Sequence, residues 1–103
     1  MNWIEAVEIR SLGNNKKKLK SQIQHLLDAV EKDQSESMMA AYYRSMPDSD
    51  FCIHITHCSK KVENEGSELG IQIASALKEY GIVNHRIWIE FSKTHQFHKS
   101  NIK

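Results

Sequence analysis

Cys52, His54 and Thr56 stand at alternate positions of Phe51-Cys52-Ile53-His54-Ile55-Thr56, and Trp88 and Glu90 alternate in the same way in Ile87-Trp88-Ile89-Glu90-Phe91. Successive strand side chains point to opposite faces of a sheet. Phe51, Ile53, Ile55 and Ile87, Ile89, Phe91 therefore take one face, and the five polar or aromatic residues take the other. A histidine placed there can act as acid, base or ligand near neutral pH. Glu90 or Glu8 is its natural orienting carboxylate, so His54, Glu90 and Glu8 form the candidate catalytic set. Glu8 belongs to it only if Ile4, Ala6 and Glu8 share the open face and leave Val7 and Ile9 on the other. The first strand also admits the reverse, with Trp3 and Glu5 open. Trp88 with Tyr42 or Tyr43 can stack on a flat ligand, and Cys52 and Thr56 complete the ligand-binding candidates. The plainer role for each is packing, as a hydrogen-bonded sheet histidine or as aromatic groups at an interface.

Imidazole and thiolate are also zinc ligands, but strand parity opposes a closed site. His54 and His57 point to opposite faces, as do His57 and Cys58, which leaves Cys52 and His54 as same-face neighbours. Nothing in the spacing requires His85 as a third ligand, so neither a metal nor another cofactor is expected. Cys52 and Cys58, six residues apart on one strand, are separated by about 20 Å when extended, too far for a disulfide. Their expected free state fits a reducing compartment. His25 falls on the polar side of a helix, and His95 and His98 lie in a polar tail.

The 103 residues fit about one domain. Fourteen basic and thirteen acidic residues give a net charge of +1, so no global field draws the chain to nucleic acid or to an anionic membrane. No apolar run approaches the roughly 20 residues needed to cross a bilayer, and Glu5 interrupts the N-terminus before a signal-peptide core can form. The expected setting is cytoplasmic, with no nucleic-acid or membrane partner.

The elements that must position these residues follow from hydrophobic period. Trp3 to Arg10 alternates and reads as a strand, broken by Ser11-Leu12-Gly13-Asn14-Asn15. From about Asn14 to Lys32, the residues Leu19, Ile23, Leu26, Leu27 and Val30 form one helical stripe behind an asparagine cap. A polar connection, Asp33 to Ser37, leads to a second strand, Met38 to Arg44. The turn Ser45-Met46-Pro47-Asp48-Ser49-Asp50 joins it as a hairpin to Phe51 to Cys58. Ser59 to Gly66 is a polar loop. Ser67 caps a second helix, with Leu69, Ile73, Ala76, Leu77 and Tyr80 as its stripe and Gly81 as its stop. Asn84 to Ser92 is the fourth strand, which sets the domain at 1–92 and the tail at 93–103.

The order β-α-β-β-α-β is solved by a ferredoxin-like α+β fold, a four-stranded antiparallel sheet with both helices on one face. The other face would expose Trp88, a tyrosine and aliphatic groups, which predicts a homodimer packed sheet to sheet. Element order, length and the two-sided sheet over about Trp3 to Ser92 resemble the dimeric α+β barrel superfamily, particularly small proteins related to antibiotic biosynthesis monooxygenases. The resemblance implies two subunits with facing sheets, small organic ligands between sheet and helices, and in some members cofactor-free oxygenation or haem chemistry. After the third strand this chain reads His57-Cys58-Ser59-Lys60-Lys61, where those relatives often carry a Trp and acidic residues.

The same element order describes RNA-recognition modules, but the basic-Gly-aromatic motif of their third strand is missing from Asp50-Phe51-Cys52-Ile53-His54-Ile55. Lys16, Lys17, Lys18 and Lys20 could hold an anion at a helix start, although a solvated lysine face is the commoner outcome. The reading that emerges is a cytoplasmic dimer binding a small organic ligand at its open sheet face. The alternatives are a cofactor-free monooxygenase-like enzyme using His54 with a carboxylate, and a regulatory or structural interaction module.

Overall fold

A computed structural model of the chain describes residues 1–32, 38–46 and 48–92. The 33–37 connection, Pro47 of the hairpin turn and the tail from 93 onward lie outside the described residues. The elements are β1 (Asn2–Ser11), α1 (Lys16–Lys32), β2 (Met38–Tyr43), β3 (Asp50–Cys58), α2 (Glu68–Leu77) and β4 (Gly81–Ile89). They form one antiparallel sheet in the order β2-β3-β1-β4. This is the expected ferredoxin-like α+β architecture.

Both helices cover the sheet face carrying odd-numbered residues. Val7 and Ile9 of β1 and Phe51, Ile53 and Ile55 of β3 form one core with Leu19 and Ile23 of α1 and Ile73, Ala74 and Leu77 of α2. The period-2 strands and the 3.6-period helix stripes thus meet in a single apolar layer. The face question left open for β1 is settled by burial. Trp3, Glu5, Val7 and Ile9 face the helices, each at most 2% exposed. Ile4, Ala6 and Glu8 occupy the open face.

Two boundaries differ from expectation. α2 ends at Leu77 with Lys78 as its C-cap, so Tyr80 lies beyond the helix and Gly81 does not stop it but opens β4 opposite Ser11, because β4 pairs with β1 along its whole length from Ser11↔Gly81 to Trp3↔Ile89. The strand also ends at Ile89, so Phe91 lies beyond the pairing and is fully exposed, while Ile89 is half-exposed. The Ser67 cap is as expected: its hydroxyl accepts from Gly70 N at 3.0 Å. At the start of α1 the Asn15 carbonyl accepts from Leu19 N at 2.8 Å, which makes Asn15 the asparagine at the N-cap.

Candidate functional site

The residues singled out by alternation share the open face in defined rows. Tyr42, Cys52, Glu8 and Asn84 lie side by side across β2-β3-β1-β4; the next row is Ala40, His54, Ala6, Arg86, and the next Met38, Thr56, Ile4, Trp88. Glu90 follows at the sheet end, where its N–H donates to Asn2 O at 2.9 Å and its carboxylate accepts from Asn2 Nδ2 at 3.3 Å. His54 thus occupies the middle row with Glu8 diagonal to it and Glu90 two rows away, on the far side of β1.

The rows separate the candidates into two hollows. One, of about 450 Å³, includes Glu8, Arg10, Tyr42, Arg44, Asp50 and Cys52 in its lining. The other, of about 370 Å³, lies around Ile4, Thr56, Cys58, Trp88 and Glu90. Asp50 anchors the first by accepting from Arg10 Nε and from an Arg44 guanidinium nitrogen, each at 3.3 Å. His54 stands between the hollows with its ring 5.0 Å from that of Tyr42. Among the described residues no carboxylate hydrogen-bonds to His54, and Glu8 lies 3.9 Å from Arg86 Nε. Burial, reinforced by the Glu8 charge, pushes the Cys52 thiol up.

The helix-covered face holds a second set of titratable groups that alternation did not single out. Glu5, wholly buried, accepts from His57 Nε2 at 2.5 Å, His85 Nε2 at 2.8 Å, Ser67 N at 2.9 Å and the Ser67 hydroxyl. Burial by itself would raise the Glu5 pKa. The Ser67 hydroxyl, His57, the Ser67 amide and His85 together outweigh that effect and hold the carboxyl below its ordinary range. An ionised carboxylate only accepts, so both imidazoles present N–H at Nε2, and its four acceptor positions are each matched by one donor. Trp3 stacks on His57 at 4.1 Å between centroids and donates from Nε1 to Ser59 Oγ at 2.9 Å.

Backbone sits directly against this cluster. A Cβ on Gly70 would stand 2.0 Å from Glu5 Oε1, and one on Gly66 would stand 2.3 Å from His85 Cε1. Gly66 also has φ +102°, a conformation that side-chain-bearing residues rarely adopt. A carboxylate saturated by four donors fits a hydrogen-bonded network, and among the described residues no group of three or more His, Cys, Asp or Glu is arranged to hold a metal ion.

The sequence did carry a signal for the cluster. Glu5, His57 and His85 each interrupt an otherwise apolar face, of β1, β3 and β4, and those strands are adjacent in the sheet. Their partnership appears only once β1 is known to lie between the other two. No family model, curated protein or solved structure matches this chain.

Proposed function

We propose that the protein is a small-ligand-binding subunit that pairs with a second copy through its open sheet face, in the manner of the dimeric α+β barrel proteins its sequence resembles. The observation that carries this reading is the exposed apolar content of that face: Met38, Tyr42, Ile82 and Trp88 are each more than half exposed on a single sheet surface. They stand on the two edge strands, with Cys52, His54, Thr56 and Glu8 between them, and an apolar rim of this kind on one sheet face suits an interface or a ligand site. The face is also suited to meeting itself. Arg10, Arg44 and Arg86 are matched by Glu8, Asp50 and Glu90, so two copies come together without net repulsion.

The hollow lined by Tyr42, Arg10, Arg44 and Glu8 is the proposed ligand seat, with Tyr42 as its aromatic wall and the arginines as its polar end. Thr56 and Trp88 serve the second hollow. The two free cysteines accord with a cytoplasmic setting. The enzyme alternative assigns His54 the acid or base role, and it gains no support from a hydrogen-bonded carboxylate. Titration with the anionic bicyclic dye 8-anilinonaphthalene-1-sulfonate tests the seat. Saturable binding by the wild type, weakened about tenfold by Tyr42→Ala, is expected for an aromatic contact of this size. Binding unaffected by Tyr42→Ala and by Trp88→Ala removes the open face as the ligand surface. Substrate turnover abolished by His54→Ala would replace the binding reading with the enzyme.

A further inference from the structure

The Ser59–Gly66 loop crosses the helix side of the sheet end with no buried apolar side chain of its own; Val62 is half-buried, and Ser59, Lys60, Lys61, Glu63, Asn64 and Glu65 are exposed. Segments lacking apolar anchors are held by their polar contacts and open at lower free-energy cost than the core. Four such contacts, two at each end, tether this loop. At its N-terminal end, Ser59 Oγ accepts from Trp3 Nε1 at 2.9 Å, and Ser59 N donates to Met1 O at 3.0 Å. At its C-terminal end, Ser67 gives both its amide and its hydroxyl to Glu5.

Beneath these tethers lie the two histidines. Gly66 rests on the His85 ring, and Trp3, tied to Ser59, is stacked on His57. The side chains of His57 and His85 are only 10% and 17% exposed. One carboxylate thus fastens the loop end, the start of α2 and both imidazoles together.

We propose that the Ser59–Gly66 loop is a latched lid over the His57–His85 pair, and that Glu5 is the latch. The lid lies on the opposite sheet face from the proposed ligand seat and does not depend on it. Losing a Glu5 acceptor frees Ser67, and with it the loop end, while the apolar core around Ile53, Ile55 and Leu77 stays intact. When open, the lid presents two imidazoles to solvent from strands that flank β1.

Amide hydrogen exchange on the full chain tests this directly. In Glu5→Gln, the amide that replaces one oxygen is a donor facing donors, so residues 59–70 are expected to exchange at least about tenfold faster and with little dependence on urea, through an opening that exposes little surface, while Ala41 and Ile53 to Ile55 still exchange only through global unfolding, with the full urea dependence. Carbethoxylation of His57 and His85 by diethylpyrocarbonate should accelerate in parallel, with exposed His25 as the internal reference. Trp3→Phe keeps an aromatic ring against His57 but removes the indole donor to Ser59. It should loosen residues 59–66 from the other end, and it supplies the test if Glu5→Gln does not fold. Exchange of residues 59–70 with the same urea dependence as Ile53 to Ile55 would make Glu5 a general stabiliser and overturn the latch. Unchanged exchange of residues 59–66 in the folded variants would overturn the lid.

Discussion

The two faces of this sheet carry nearly the same residue types and use them in opposite ways. On the helix face Trp3, Glu5 and His57 are buried and His85 is largely so; both histidines bond to Glu5, Glu5 bonds to Ser67, and Trp3 bonds to the Ser59 hydroxyl. On the open face Trp88, Glu8, Glu90 and His54 are spread over several rows, and Trp88 is 56% exposed. Residue type therefore does not decide role in this sheet; partners and burial do. A carboxylate surrounded by four donors fixes local geometry, whereas one that lies 3.9 Å from an arginine at the surface contributes little.

Substitutions matched across the two faces should break the symmetry in proportion. Trp3→Ala empties a fully buried ring site and removes the donor to Ser59, and is expected to cost about 4 kcal/mol in urea unfolding at unchanged m value. Trp88→Ala should leave the intrinsic stability of the subunit within about 0.5 kcal/mol and act on pairing instead. Glu5→Gln should cost about 3 kcal/mol, because breaking a buried charged hydrogen-bond network leaves donors without an acceptor. Glu8→Gln in the same strand should change stability by less than about 0.5 kcal/mol.

The contrast extends to pH. Glu5 is held below its ordinary carboxyl range in the folded chain by Ser67, His57 and His85, the groups that face it from α2, β3 and β4. Its stabilisation is therefore complete above the unfolded carboxyl pKa, about 4.3, and is lost as pH falls through the lower folded value. Urea midpoints of the wild type should drop across that acid range. In Glu5→Gln the drop should be shallower, with Glu8→Gln retaining the wild-type slope. The smallest effect is expected at the centre of the open face: His54→Ala should change the unfolding free energy by no more than about 0.5 kcal/mol, since among the described residues no carboxylate hydrogen-bonds to His54.

Much of the fold was legible because its signals are local. The Ser67 cap, the two helix stripes and the alternation in Phe51 to Thr56 each report the environment of nearby residues, and together they imply the element order. Open-face membership of Cys52, His54, Thr56, Trp88 and Glu90 followed from parity alone. The face assignment of β1 did not, because Glu5 is a charged residue on the buried side, and the favourable partners that permit this lie 52, 62 and 80 residues away. For the same reason the Glu5 cluster was invisible to periodicity. Each of its members looks like a misplaced polar residue on its own strand, and only the β3-β1-β4 adjacency makes them complementary.

The proposed pairing closes the open face with a second copy of the chain. Size-exclusion chromatography with light scattering at micromolar concentration measures this directly. The expected mass is twice the 11.9 kDa of the single chain for the wild type, and that of the single chain for a Trp88→Glu variant that remains folded by circular dichroism. A wild-type protein that elutes as a clean 11.9 kDa monomer would contradict the account.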